Sequence, residues 1–365
     1  MGYLVFLKLN GRIAMDLVMP FCILYGLNMY FQSYGAVSIV KLNSHWFHIR
    51  ERGSFSGIFG TLIALGLYFA YDWGAAIVRA TKAQAENLNI VLRGVRTLVG
   101  ANAATIDQTW WVFFIPAAIL FAFVILEIFL LQDSPSKAGF QDFDTLDASS
   151  GEADVKFNVW KLYKKILTNP IIITIAFIEL CSGVLRNGIM HWYFIFLKGQ
   201  GIKGGYFFVD NWGLLLMVCG VYSAISMGYV SDKVFGSRRT PVAALFYGVM
   251  TLATVAMAFS LTHNFALSML CMAISFSVIG IHGLLSGTAT MDFGGRKGAA
   301  TAVGVVDGFV YLGSGIQSMA IGHLVKDGDW TYWPIFLVPF ALIGTVLAIK
   351  VWKAFPGPAK GKGAH

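Results

Sequence analysis

TWWVFFIPAAILFAFVILEIFLL, spanning Thr109–Leu131, holds 23 residues and one charge, Glu127. A bilayer core takes about 20 mostly apolar residues as one helix, because a helix satisfies its own backbone polar groups there. Eight further stretches read the same way, near 16–40, 55–79, 170–197, 207–230, 241–262, 265–290, 299–322 and 333–354, which makes nine. The composition agrees. Of 365 residues, 57% are hydrophobic and 13% charged, and the mean hydropathy is +0.67. A soluble domain uses about 25% charged residues to cover itself, so this chain cannot hide its apolar surface in a water-bounded globule. It is predicted to be an all-α polytopic membrane protein.

The excess of Lys and Arg in inner loops orients such spans. If the segment carrying Lys41, Arg50 and Arg52 is cytoplasmic, the cytoplasmic loops and C-terminal tail hold 17 of the 27 Lys and Arg, against 7 outside. Lys8, Arg12 and Arg186 belong to neither set. A multi-pass protein of the inner (cytoplasmic) cell membrane is expected, with its C-terminus in the cytoplasm. The external insert at about 80–108 runs against the bias, and its centre NIVLRGVRTLVG is expected to lie along the interface as an amphipathic helix. The net charge of +8 marks topology and anionic lipid headgroups, not nucleic acid.

Cys22, Cys181, Cys219 and Cys271 fall inside apolar spans, with no CxxC and no His at ligand spacing. They read as buried free thiols. No Gly-rich phosphate loop, HExxH or GxSxG occurs, so neither enzyme chemistry nor a cofactor or metal is expected. The one long polar stretch, Gln132–Thr168, is acidic from Asp133 to Asp154 and basic from Lys156 to Lys165. It reads as a central cytoplasmic loop (132–168) between a three-span bundle over 1–131 and a six-span bundle over 169–355, with a cytoplasmic tail at 356–365. Six helices after a central loop suggest one half of a transporter built from two repeated halves.

Four stretches carry a family resemblance: YFQSYGAVSIVKLNSHWFHIRERG (Tyr30–Gly53), LQDSPSKAG (Leu131–Gly139), VLRNGIMHW (Val184–Trp192) and GYVSDKVFGSRR (Gly228–Arg239). In this order and spacing they resemble the organophosphate:phosphate antiporters of the major facilitator superfamily, the glycerol-3-phosphate and hexose-phosphate transporter type. The resemblance implies a fold of twelve helices, of which this chain supplies the fourth to the twelfth. A second phosphate-binding Arg of the family's first helix then has no counterpart here, and an N-terminus lying upstream is expected.

Charges inside spans cost roughly 2.5–3.5 kcal/mol on insertion scales, so each needs a cavity or a partner. Arg186 lies deep in its span, and a guanidinium grips phosphate through two parallel hydrogen bonds. A permanent pairing with a carboxylate is the other reading, and the resemblance to the family's phosphate-binding Arg favours substrate. Glu179, two turns earlier, reads either as a proton or cation site in the same cavity or as the partner of a Lys or Tyr on another helix. Asp307 and Tyr311 share one face of a helix. The resemblance implies a pocket role for both and for Gln32, while an Asp bonded to a neighbouring helix is the alternative for Asp307. His191 is held as an interface residue and His282 as a satisfied core histidine. Ile63 and Ile279 replace a pocket His and Tyr of the family, so the pocket is more apolar than in typical members. Gly228, Asp232, Arg238 and Arg239 are assigned a gating role, against a solvated charged loop.

The function implied is secondary transport. A phosphorylated small metabolite, a sugar or glycerol phosphate, is exchanged for inorganic phosphate by alternating access in a monomer surrounded by lipid. Two other classes stay open: a transporter-like sugar-phosphate sensor, and a non-functional truncated transporter. With three spans in the first bundle, the short chain by itself is expected not to exchange phosphate.

Overall fold

The computed structural model describes residues 1–48, 50–144, 159–202 and 205–354, without the side chains at 53–56, 59, 159, 296 and 297. The middle of the predicted central loop and the 356–365 tail lie outside the described residues. Every regular element among them is a helix. Among the described residues eight helices are long and apolar enough to cross a membrane. The 29-residue α2, described below, covers the ninth predicted span, and its Asn28, Gln32 and Ser33 make it more polar than the other eight. The protein is a polytopic all-α membrane protein.

By internal contacts the chain forms two compact units, Met1–Gly35 with Gly66–Asp133, and Ala36–Leu65 with Ser134–His365. The sequence division at residue 131 differs, because it places Ala36–Leu65 with the first bundle. In the first unit are α1 (Gly2–Leu9), the first part of α2 (Val18–Trp46), the end of α3 (Arg52–Tyr68), then α4 (Gly74–Ala80), α5 (Ile90–Leu98) and α6 (Trp111–Leu130). A π-helical turn, Phe69–Trp73, joins α3 to α4. The base of α1 lies against Phe113 and Phe114 of α6, and Phe6 meets Trp110 edge-on at 5.0 Å. The amphipathic α5 begins where the Asn89 side chain accepts from the Leu92 amide, an N-cap. Arg96 anchors it by donating to the carbonyls of Ala80, Lys82 and Ala83, which leaves Ile90, Val91 and Leu98 exposed.

The second unit adds α7 (Val159–Leu167), α8 (Pro170–Met190), α9 (Trp192–Gly199), the single turn α10 (Phe207–Asp210), α11 (Trp212–Tyr229), α12 (Thr240–Ala258), α13 (Asn264–His282), α14 (Thr290–Leu324) and α15 (Tyr332–Lys350). α8 starts where the Asn169 side chain caps the amides of Ile171 and Ile172 and Pro170 takes the first helical position. It is the hub of this unit, with α13, α14 and α15 packed around it. The closest approach is to α14. A β-carbon on Gly183 would collide with the Val310 carbonyl, and one on Gly313 with the Leu180 carbonyl, so bare backbones touch at two points. Such small-residue contacts drive helix association where lipid removes the hydrophobic drive. α13 continues into a π-helical turn, Gly283–Ala289, and a break at Gly295 (φ +64) separates it from the body of α14.

Candidate functional site

Arg186 is half-buried near the C-terminal end of α8, and among the described residues no ion pair or hydrogen bond engages its guanidinium. Glu179, two turns earlier on the same helix, is fully buried. Its Oε2 lies 2.9 Å from Nδ1 of His282 at the end of α13, so Glu179 pairs with another helix. The sequence reading named a Lys or Tyr for that role. Its Oε1 is buried without a hydrogen-bond partner among the described residues. Asp307, midway along α14, accepts a hydrogen bond from Ser286, so it too is bonded to a neighbouring element. Tyr311 follows one turn later and is half-exposed. His191 is exposed at the junction of α8 and α9. Gln32 lies exposed on α2 in the first unit.

The structure therefore brings Glu179, His282, Ser286 and Asp307 onto the facing sides of α8, the α13 end with its π turn, and α14. A polar seam crosses the second unit there, with Arg186 about 10 Å further along α8 at 1.5 Å per residue. A cavity of about 370 Å³ opens elsewhere in the unit, beside Phe196, Gln200, Asn264 and Trp330. Its described lining has no ionisable group, which makes it a poor site for an anion.

The residues assigned to gating divide. Gly228 is buried near the end of α11. Arg238 donates from Nε to the Phe235 carbonyl at 3.1 Å. Arg239 is buried, and donates to Asp292 Oδ2 (3.0 Å), Ser231 Oγ (3.0 Å) and Asp232 Oδ1. Asp292 has no exposed surface, and its other oxygen accepts from Nη1 of Arg52 at 3.2 Å. Arg52, equally buried, also donates to the carbonyls of Ser44 (3.1 Å) and Phe47 (3.1 Å). Among the described residues two guanidinium groups and two carboxylates meet in one buried network, which ties the start of α3 to the α11–α12 loop and the end of the α13 span. A solvated loop does not describe Arg239.

The profile of the Major Facilitator Superfamily matches residues 2–318. The chain belongs to this superfamily. Among curated proteins it is similar to the glycerol-3-phosphate transporter of Bacillus subtilis (strain 168), 25% identical over 89% of this chain and 69% of that protein. It is also similar to a probable hexose phosphate transport protein of Chlamydia pneumoniae, 23% identical over 92% of this chain and 72% of that one. A third relative is the membrane sensor protein UhpC of Escherichia coli (strain K12), 23% identical over 90% and 70% respectively. These are transporters and a sensor, not enzymes, and they lie in the organophosphate:phosphate antiporter branch that the four motifs resemble.

Within this superfamily member, sequence reasoning missed the partners that close the buried network. Arg52 stands inside the quoted Glu51-Arg52-Gly53 motif but reads there as a loop charge. Asp292, in MDFGGRKG just past the 265–290 span, is given no role in the sequence reading. The sequence reading also buries all four cysteines, whereas Cys22 is exposed on α2. Apolar surroundings in sequence do not place the Cys22 side chain in a core.

Proposed function

We propose that this chain is a secondary transporter for phosphorylated small metabolites, exchanging a sugar or glycerol phosphate for inorganic phosphate by alternating access. One observation carries the reading: Arg186, deep in a membrane helix, has no carboxylate pairing with it among the described residues. A structural arginine at that depth needs a built-in anion, and one without such a counter-ion suits an anion that comes and goes. Its planar fork matches two phosphate oxygens. The transporter relatives support the substrate class. Tyr311 and Asp307 are proposed to line the pocket, and the Arg52–Asp292–Arg239–Asp232 network to act as a latch at the cytoplasmic end. The cytoplasmic side is proposed for the C-terminus, from the bias of Lys and Arg among the loops.

In proteoliposomes, Arg186→Lys is expected to abolish uptake of labelled glycerol 3-phosphate and glucose 6-phosphate while the protein remains inserted, since an ammonium keeps the charge and loses the fork. Near-normal uptake would make Arg186 a structural residue. Similarity to a membrane sensor protein favours a second reading, in which the organophosphate is bound but not moved. Saturable binding in detergent with no flux in liposomes selects the sensor.

A further inference from the structure

We propose that Glu179 and His282 form a proton-binding site within the second unit, separate from the anion site at Arg186. The carboxylate is fully buried midway along α8. One oxygen is 2.9 Å from the imidazole, and the other is buried without a partner among the described residues. An ionised carboxylate only accepts hydrogen bonds, through two oxygens. A bare charged oxygen in apolar surroundings is costly, and a proton added to the pair removes its net charge.

With the carboxylate ionised and the ring neutral, the shared hydrogen resides on Nδ1 and Nε2 is bare. In that state the pair carries one negative charge. A proton taken from water forms an N–H bond at Nε2, the ring becomes cationic, and the pair is neutral. The imidazole keeps 18% of its side chain accessible while the carboxylate keeps none, so the proton enters through the ring. The negative state needs water or a cation close by at this depth. Proton loss therefore belongs to a conformation in which the ring edge is wetted.

The surrounding groups do not neutralise the pair. Cys181 on α8 and Tyr247 from α12 are its titratable neighbours, and the Tyr247 hydroxyl donates to the Ile178 carbonyl at 2.5 Å. From α14 comes Asp307, held by Ser286 one turn beyond His282, so the same stretch of helix serves both carboxylates. α15 carries no titratable side chain between Trp333 and Ile349. Arg186 lies two turns along α8. A metal ion fits poorly. Hard cations take several oxygen ligands, and among the described residues no group of three or more His, Cys, Asp or Glu could hold one.

As a coupling site, the pair rests on the reading that the chain moves organophosphates, whereas its proton binding can be read without transport. The test is nitrogen-15 NMR of histidine-labelled full-length chain in lipid nanodiscs, with the His282 signal assigned by its loss in His282→Gln. The ring nitrogen signals are expected to change from the neutral to the cationic pattern as the pH is lowered. Glu179→Gln should weaken its proton affinity about tenfold or more, as loss of an adjacent opposite charge does. A ring neutral throughout, a ring cationic throughout, or a midpoint unmoved by Glu179→Gln overturns the proposal. If Glu179→Gln fails to fold, the wild-type titration still decides. Liposome flux without this titration removes the proton site alone, and the titration without flux of any organophosphate removes the transport reading alone.

Discussion

Trp111–Leu130 and Pro170–Gly199 are both membrane spans, and they differ in the opposite sense to a soluble protein. The first is the most apolar of the eight, with a mean hydropathy of 2.7, and none of its central window is buried. The second scores 1.5, carries Glu179 and Arg186, and is 61% buried over its window. In water, hydrophobicity and burial rise together. In a bilayer the lipid is as apolar as a core, so an apolar face gains nothing by turning inward. What turns inward is what lipid treats badly: charges, hydroxyls and glycines that let backbones touch.

The largest test of that contrast is at the buried charges. Asp292→Ala leaves two buried guanidinium groups without their shared carboxylate, and removing one partner of a buried ion pair costs about 3–5 kcal/mol. A lower unfolding temperature in detergent and faster reaction of the buried Cys271 with a thiol reagent are expected. Wild-type behaviour would mean that the network contributes no stability.

A pair of identical substitutions sharpens the comparison directly. Leu185 in α8 is fully buried, whereas Leu120 in α6 is 65% exposed. Leu185→Ala should cost about 2–5 kcal/mol through lost contacts and a cavity. Leu120→Ala should change unfolding by no more than about 0.5 kcal/mol. Equal losses, measured by Cys271 protection, would show that apolarity does report packing here.

The smallest effect is at a hydroxyl pair. Thr251 and Thr345 meet at 3.0 Å between α12 and α15. Interhelical hydrogen bonds in membranes average about 0.6 kcal/mol, so Thr251→Val should shift the midpoint only slightly. A shift as large as that of Asp292→Ala would make hydroxyl pairs, not charges, the main internal ties.

The spans, the class and the motif order are legible from the residues alone. A run such as WVFFIPAAILFAF needs no distant partner to be recognised as a membrane helix, because the relevant solvent is the bilayer itself. The polar start of α8 at Asn169-Pro170 and the α5 cap at Asn89 are local in the same way. Pairings are not local. Arg52 meets Asp292 across 240 residues, and Glu179 meets His282 across 103. No periodicity links such positions. The sequence could say that Glu179 needed a partner, since a bare intramembrane carboxylate is costly, and still could not choose His282 over a Lys or Tyr.

By itself, the amino-acid sequence determined that this protein lives in a membrane as a bundle of apolar helices, with Arg186 and Glu179 two turns apart on one helix. Both follow from short-range chemistry: the cost of exposing backbone to lipid, and the fixed pitch of an α-helix. Tertiary structure decided which charges neutralise one another. Ion pairs fall within a few ångströms or fail, and which residues come that close is fixed by the packing of helices distant in sequence, as with Glu179 of α8 and His282 of α13.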